Sequence, residues 1–116
     1  MLQKENRLKK EKDFRVVLGR GRYVVTPLFL LKYIPNTLSY NRYGFVVSTK
    51  VSKKSPMRNT IKRRMRAIAK KNEKKGIQGH DIAFIVKKEI VGRSFQEIQE
   101  IMAEALQKVP QQFSRI

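Results

Sequence analysis

The chain has 116 residues, 41% of them apolar, which suffices for one compact domain with a single core but not for two domains of ordinary size. It carries 27 lysines and arginines against nine aspartates and glutamates, a formal net charge of +18. Such a charge opposes compaction unless a polyanion neutralises it. Residues 1–75 hold 22 basic and four acidic side chains, whereas residues 76–116 hold five of each. This segregation predicts a nucleic-acid-binding face in the first two thirds of the chain.

Several other classes of protein are disfavoured by composition. The N-terminus lacks the apolar segment of a signal peptide, and the longest apolar stretch, Tyr23–Leu31, is too short to span a bilayer. Without cysteine there is no disulfide or thiolate zinc site, and a single histidine cannot supply a ligand cluster or a Ser/His/Asp set. We therefore expect a cytoplasmic protein with no membrane association, no bound metal and no catalytic residues of its own.

The first half of the chain reads as a short helix followed by strands. Phe14 and Leu18 share one face of a helix over residues 11–18, which ends before two glycines. Apolar and aromatic runs predict strands at Leu28–Ile34 and Arg42–Thr49, with an additional short strand near 22–26. The polar residues between the two longer strands suit a hairpin loop, Pro35–Asn41.

A long basic helix follows. Ser55 is a candidate N-cap and Pro56 suits the first turn, which predicts a helix over residues 56–72. The apolar side chains recur at helical spacing and predict a buried stripe: Met57, Ile61, Met65 and Ile68. A column of cations stands four residues apart beside Arg63 and Arg64: Arg58, Lys62, Arg66 and Lys70.

The last third reads as a buried strand and a second amphipathic helix. Asp81–Val86 fits a strand at the sheet centre, and Ser94 with Glu97 forms a capping box for a helix over 94–108. Its predicted core face comprises Phe95, Ile98, Met102, Ala105 and Val109. We expect an α+β fold of element order α, β, β, α, β, α in one RNA-binding domain spanning 1–116, with frayed termini at 1–6 and 110–116. His80 is expected in a loop.

The densest charge lies between Lys50 and Lys75, where twelve basic residues accompany a single acid, Glu73. Like charges at i,i+4 spacing cost roughly 0.2–0.5 kcal/mol per pair, so an unmixed basic face indicates a polyanionic partner. Binding to a membrane surface is disfavoured because the large apolar side chains of this helix are assigned to the core. A DNA-binding helix-turn-helix is disfavoured because strands flank the helix on both sides.

The aromatic residues offer two further interpretations. Tyr43-Gly44-Phe45-Val46 resembles part of the RNA-recognition-motif signature, but that fold requires a helix where this chain has only a short loop. Phe14 is expected to be an exposed ring among Lys10, Lys12 and Arg15, which predicts a stacking platform for an unpaired base.

Taken in order, these residues resemble the bacterial ribonuclease P protein subunit. The resemblance rests on Arg7-Leu8-Lys9-Lys10, Asp13-Phe14, Gly44-Phe45-Val46-Val47 and above all Met57-Arg58-Asn59-Thr60-Ile61-Lys62-Arg63-Arg64-Met65-Arg66. It continues through Asp81–Ile85 to the closing helix. The chain departs from the family at Thr60, where an arginine is usual, and at Leu18, where a second aromatic is frequent.

The resemblance implies a fold of the ribosomal protein S5 domain 2-like type with a left-handed crossover helix. It implies a cofactor to a catalytic RNA that removes the 5′ leader of precursor tRNA with Mg2+, so the protein is a component of an endoribonuclease without cutting RNA itself. One monomeric protein is expected per RNA.

The implied sites are two. The site for the RNA subunit comprises Lys50, Lys53, Lys54, Arg58, Asn59, Lys62, Arg63, Arg66 and Lys70. The leader cleft comprises Phe14, Leu18, Lys10 and Tyr33, with Lys32 as an alternative to Tyr33. A ribosomal or ribosome-associated RNA-binding protein without a nuclease role remains an alternative, since it would share the basic surface.

Overall fold

The computed structural model of the chain describes residues 4–73 and 79–110. Seven main elements follow one another, together with short 3-10 turns at Lys4–Asn6 and Lys88–Ile90: α1 (Glu11–Arg20), β1 (Arg22–Val25), β2 (Phe29–Pro35), β3 (Arg42–Val46), α2 (Ser55–Lys71), β4 (His80–Val86) and α3 (Phe95–Gln107). The α+β class, the element order and the additional short strand are confirmed. The second long strand is shorter than predicted and ends at Val46.

The four strands form one mixed sheet in the order β1-β2-β4-β3. β2 pairs with β1 and β4 in antiparallel fashion, and β3 pairs with β4 in parallel. The predicted hairpin over Pro35–Asn41 is wrong, because β4 inserts between the two strands that this loop connects. The central position predicted for β4 is confirmed, and α2 is the crossover between two adjacent parallel strands.

The two faces of the sheet have different covers. Alternate residues of β4 separate them: Ile82 and Phe84 belong to the main core with α2 and α3, whereas Ala83 packs with Val17 of α1. In the main core the Phe84 ring meets the edge of Phe29 at a centroid distance of 5.1 Å and stacks on Phe45 at 5.2 Å. These contacts join β2, β4 and β3 across the core, and α2 packs against the sheet beside β3.

Two apolar residues assigned to the core are not in it. Met57 is 39% exposed and Phe95 is 44% exposed, although the rest of each predicted stripe is buried. Both residues lie in the first turn of their helix and line surface grooves there. A helical stripe therefore predicts the direction of a side chain, but not whether the core extends to the first turn of the helix.

The starts of the two long helices differ. The capping box of α3 is confirmed, since Glu97 N donates to Ser94 Oγ at 3.1 Å and Ser94 N donates to a Glu97 carboxylate oxygen at 3.3 Å. The hydrogen bond from Ser94 N to the Glu97 carboxylate, together with those from Arg93 Nη1 and Ser94 Oγ, lowers the pKa of Glu97. The predicted cap of α2 is wrong: Ser55 is the first helical residue, and Lys54 occupies the N-cap without a side-chain hydrogen bond.

Two further expectations are corrected near the sheet edge. Residues 4–6 form a turn in which Asn6 is buried, so this part of the N-terminus is not frayed. His80 is a buried strand residue, paired in register with Pro35 and packed edge-on against Tyr33. Residues 1–3 and 111–116 of the predicted frayed termini lie outside the described ranges.

Candidate nucleic-acid interface

The solvent side of α2 is an unmixed cationic surface. Ile61, Met65 and Ile68 are buried, and this orientation turns the charged flank of the helix outward. Lys70 is exposed and so are Arg63 and Arg64, whereas the column formed by Arg58, Lys62 and Arg66 is half-buried. Asn59 is exposed beside this column, as are Lys50, Lys53 and Lys54 before the helix. We call this set the α2 basic face.

The α2 basic face lacks internal neutralisation. Within residues 4–73 and 79–110, the ion pairs join Arg15 to Glu11, Arg42 to Asp13 and Asp81, and Arg93 to Glu97, and none of them involves α2. Arg58 uses one guanidinium nitrogen locally, donating to Ser52 O at 2.9 Å. The loop that carries Lys50, Lys53 and Lys54 is thereby tied to the helix, which makes it part of the same surface.

A groove opens where the outer edge of β3, which the segment at Arg7 and Leu8 partly pairs, meets α2. It has a volume of about 300 Å³, and the groove-lining side chains include two aromatic rings and three cations: Phe14, Phe45, Arg7, Lys9 and Arg66. We call it the edge groove. It brings Phe14 of the predicted leader cleft together with Arg66 of the predicted RNA-subunit site, although 51 residues separate them in the chain.

The absence of a side chain at Gly44 shapes the edge groove. A Cβ atom built at Gly44 would overlap the Phe14 ring, and Leu8 Cβ lies 3.3 Å from the same point. The ring therefore rests directly on the β3 backbone and is half-buried rather than freely exposed, as the sequence had suggested. Only glycine permits this approach.

Arg7 contributes an unsatisfied donor to the edge groove. Its Nε atom is buried and has no hydrogen-bond partner among the described residues. Buried guanidinium nitrogens without a partner are costly, and an anionic oxygen would satisfy the donor. Arg7 and Phe45 were missed as site residues by sequence reasoning, although Arg7 belongs to a segment that carries the family resemblance.

Hydrogen bonds fix the segment that holds Arg7. Asn6 Nδ2 donates to Asn41 O at 2.8 Å and to Glu73 Oε1 at 2.8 Å, and Leu8 N donates to Tyr43 O at 2.8 Å. Burial raises the pKa of Tyr43 to about 12, with Glu73 adding to the rise and the Asn41 hydrogen bond opposing it. The N-terminal segment is thus attached both to β3 and to the residues just after α2.

A second set of polar contacts attaches α1 to the sheet. Arg42 makes a bidentate contact with Asp81 at 2.7 and 2.8 Å, and its Nη1 atom lies 3.4 Å from Asp13 Oδ2. The hydrogen bond to the buried Asp81 carboxylate raises the pKa of Arg42. Because Asp13 directly precedes Phe14, this contact also constrains the start of the helix that presents the ring.

The other predicted leader-cleft residues are not all brought together. Lys10 is exposed at the N-cap of α1, and Leu18 is half-buried in the small core beneath that helix. Lys32 points to this face as well, with its Nζ donating to Leu18 O at 2.6 Å. Tyr33 packs instead against the main core, on the opposite face of the sheet from Phe14, because side chains alternate along β2. Because β4 also separates β2 from β3, Tyr33 does not line the edge groove.

Neither a metal cluster nor a membrane span is found in the described ranges. No three His, Asp or Glu side chains in residues 4–73 and 79–110 come together as metal ligands. In the same ranges, none of the helices has both the length and the apolar composition needed to cross a membrane.

Comparison with known proteins decides between the RNA-binding families. Residues 2–110 match the protein-family profile described as Ribonuclease P. The chain belongs to the ribonuclease P protein family. The chain is 36% identical over 108 residues to the ribonuclease P protein component of Alkaliphilus metalliredigens, covering 93% of this chain and 96% of the relative. The corresponding protein of Caldanaerobacter subterraneus is 32% identical over 110 residues, with 95% and 94% covered.

Solved structures of the family share the fold. The RNase P protein of Thermotoga maritima, solved with 1-(4-fluorophenyl)-2-thiourea, superposes with a TM-score of 0.80 at 29% identity, covering 90% of this chain and all of the other. A Staphylococcus aureus RNase P protein mutant with defective mRNA degradation activity superposes with a TM-score of 0.81 at 28% identity, covering 90% and 87%. Membership in the family makes the chain an RNA-binding component of ribonuclease P, a ribonucleoprotein that acts in tRNA processing.

Proposed function

We propose that the chain promotes 5′ maturation of tRNA by binding two RNA segments at once. The α2 basic face binds the catalytic RNA, and the edge groove binds the single-stranded 5′ leader of precursor tRNA. The observation that carries this proposal is the shared position of Arg66, which belongs to the basic column of α2 and lines the groove beside Phe14. One side chain thereby connects the two surfaces.

The α2 basic face suits a structured RNA. Its cations have no carboxylate partners among the described residues, so phosphates can bind them without breaking an existing ion pair. Each phosphate neutralised releases condensed counterions, which makes binding favourable and dependent on salt. The side chains line one flank of a 17-residue helix, and a row of phosphates can therefore be bound along it.

The edge groove suits a short unpaired strand. Phe14 offers an aromatic surface, and the cations Arg7, Lys9 and Arg66 surround it. A base stacked on such a ring contributes roughly 1–3 kcal/mol whatever its identity, while the cations bind the backbone. This sequence tolerance fits an enzyme that must process many different leaders.

The role of the protein in this scheme is to bind and position RNA. In this proposal, hydrolysis of the phosphodiester bond is carried out by the catalytic RNA and its Mg2+ ions. Arg7 Nε, buried and unsatisfied among the described residues, is suited to donate a hydrogen bond to a leader phosphate oxygen. One protein is expected for each catalytic RNA.

The proposal is tested by cleavage of a 5′-labelled precursor tRNA at low Mg2+ by a bacterial ribonuclease P RNA, with and without the full chain. We expect protein-dependent cleavage that gives the mature 5′ end, together with tighter binding of leader-bearing precursor than of mature tRNA. Unchanged cleavage, with only nonspecific binding to the catalytic RNA, would contradict the proposal. The ribosomal alternative would then be tested by binding to ribosomal RNA.

A further inference from the structure

A second pocket lies at the end of β2, away from the edge groove. It has a volume of about 390 Å³ and is lined by Arg20, Arg22, Tyr33, Ile34, Pro35, His80 and Pro110. Arg20 ends α1 and Arg22 begins β1, where it lies directly opposite Tyr33 of β2. We call it the tyrosine pocket. None of its residues lines the edge groove or lies on α2.

The tyrosine pocket combines cations with an aromatic ring. Arg20 and Arg22 are exposed, and neither has a carboxylate partner within the described ranges. No acidic residue lines the pocket. The Tyr33 hydroxyl makes no hydrogen bond to a described residue, and its ring meets the edge of the buried His80 ring at a centroid distance of 5.9 Å. The pocket therefore offers positive charge, an aromatic surface and a free hydroxyl together.

We propose that the tyrosine pocket binds one nucleotide, with its base against Tyr33 and its phosphate between Arg20 and Arg22. A bare anion would use the arginines alone, leaving the ring and the apolar wall formed with Pro35 without a role. An apolar ligand would leave the two cations unused. A nucleotide uses both halves, and the pocket volume lies in the range of small-molecule sites.

The nucleotide can come from two sources with the same chemistry. It is either a free mononucleotide or an unpaired nucleotide within single-stranded RNA. Because the tyrosine pocket and the edge groove share no lining residue, and β4 separates β2 from β3, this site is separate from the proposed leader site. It goes beyond the proposed function, and its failure would leave that function untouched.

The test maps ligand binding residue by residue. The full chain, labelled with 15N, is titrated separately with uridine monophosphate, inorganic phosphate and uridine while amide shifts are followed. We expect saturable shifts at Arg22, Tyr33 and His80, with binding of uridine monophosphate about tenfold tighter than that of either part alone. Equal binding of inorganic phosphate, or shifts confined to Phe14 and Phe45, would overturn the proposal.

Matched variants separate the pocket from overall charge. Arg20→Gln with Arg22→Gln should weaken uridine monophosphate binding about tenfold, whereas Lys88→Gln with Arg93→Gln removes the same net charge elsewhere and should not. Tyr33→Leu should abolish the preference over phosphate while the arginine contacts remain. If both double variants weakened the binding of uridine monophosphate equally, binding would depend on net charge alone, and the proposal would be overturned.

A short RNA distinguishes the two sources. If the site takes a nucleotide of single-stranded RNA, a uridine trinucleotide should bind the tyrosine pocket more tightly than the monophosphate, because neighbouring phosphates reach further cations. If it takes a free nucleotide, the trinucleotide should bind more weakly at the same residues. An absence of shifts at Arg22 and Tyr33 with both ligands would overturn the proposal.

Discussion

The helices α2 and α3 pack side by side against one face of the sheet, yet their solvent sides are opposite in character. Each buries a methionine completely, Met65 in α2 and Met102 in α3, within the same core. The exposed charged side chains of α2 are all cations, whereas α3 carries the exposed carboxylates of Glu97, Glu100 and Glu104. The buried sides are therefore under a common packing constraint, and the difference between the exposed sides fits the proposed binding of RNA by α2.

The starts of the two helices show the same contrast. The capping box of α3 satisfies backbone donors with side chains of the chain itself. The first turn of α2 has neither a side-chain cap nor an acidic residue. Since negative charge near a helix N-terminus is stabilising, α2 lacks a favourable local interaction that α3 possesses. Its stability in the folded protein depends more heavily on packing.

The largest expected effect concerns the side that the helices share. Met65→Ala and Met102→Ala should each lower the free energy of unfolding by about 2–5 kcal/mol, because both side chains are fully buried in one core. Urea denaturation of both variants measures these losses. If Met65→Ala lowered the free energy of unfolding far less than Met102→Ala, α2 would be only loosely packed. The two helices would then not share a common packing constraint.

The next effect concerns the exposed sides. Lys62→Ala with Lys70→Ala should weaken binding to the catalytic RNA about thirtyfold at moderate salt and reduce the salt slope by about 1.5, since two phosphate contacts are lost. Removing carboxylates from α3, by Glu100→Gln with Glu104→Gln, should leave the slope unchanged. Filter binding at several salt concentrations measures both. Equal slopes for the first variant and the unmodified chain would refute the assignment of the α2 basic face.

A smaller effect is expected from a matched pair of aromatic residues. Phe14→Ala should reduce the preference for leader-bearing precursor over mature tRNA about tenfold, because one stacking surface is lost. Phe95→Ala removes a 44% exposed ring from α3 and should leave this preference unchanged. Binding of both RNAs to the reconstituted complex gives the ratio. Phe14→Leu keeps an apolar side chain over Gly44 but has no ring on which a base can stack. A tenfold loss of preference in this variant as well would assign the effect to stacking and not to lost stability. An undiminished preference in both Phe14 variants would refute the assignment of the edge groove to the leader.

The smallest effect concerns the cap of α3. Ser94→Ala should lower the free energy of unfolding by about 1 kcal/mol and leave RNA affinity unchanged. The folded-state pKa of Glu97 is lowered, so its contribution is present above its unfolded pKa and is lost as the pH falls through the folded value. The difference between Ser94→Ala and the unmodified chain should therefore shrink at acidic pH. Chemical denaturation at neutral and acidic pH tests this, and a constant difference would contradict the capping role of Glu97.

Local elements were predictable because their signals are local. The spacing of Ile61, Met65 and Ile68 predicts α2, and Ser94 with Glu97 predicts the start of α3. Strand pairing depends on contacts distant in sequence, and nothing between Pro35 and Asn41 indicates that β4 will insert between the strands on either side. The hairpin prediction failed for this reason.

The candidate site was predictable in composition but not in arrangement. The charge pattern indicates the α2 basic face, and Phe14 among lysines indicates an aromatic contact. Alternation along β2 places Lys32 and Tyr33 on opposite faces, but alternation alone does not tell which face α1 will cover. The buried Asn6, which bonds to Glu73 across 67 positions, has no sequence signal at all.

The position of α2 between two adjacent parallel strands has a consequence for hydrogen exchange. β3 and β4 pair directly, and every path between them along the chain passes through α2. Opening α2 therefore withdraws support from the central strand, which pairs on both sides. RNA bound to α2 should therefore slow amide exchange in β4, a strand buried almost throughout its length. β4 belongs to the last third of the chain, where basic and acidic side chains are equal in number. Exchange in this neutral part would then measure RNA binding to the basic part.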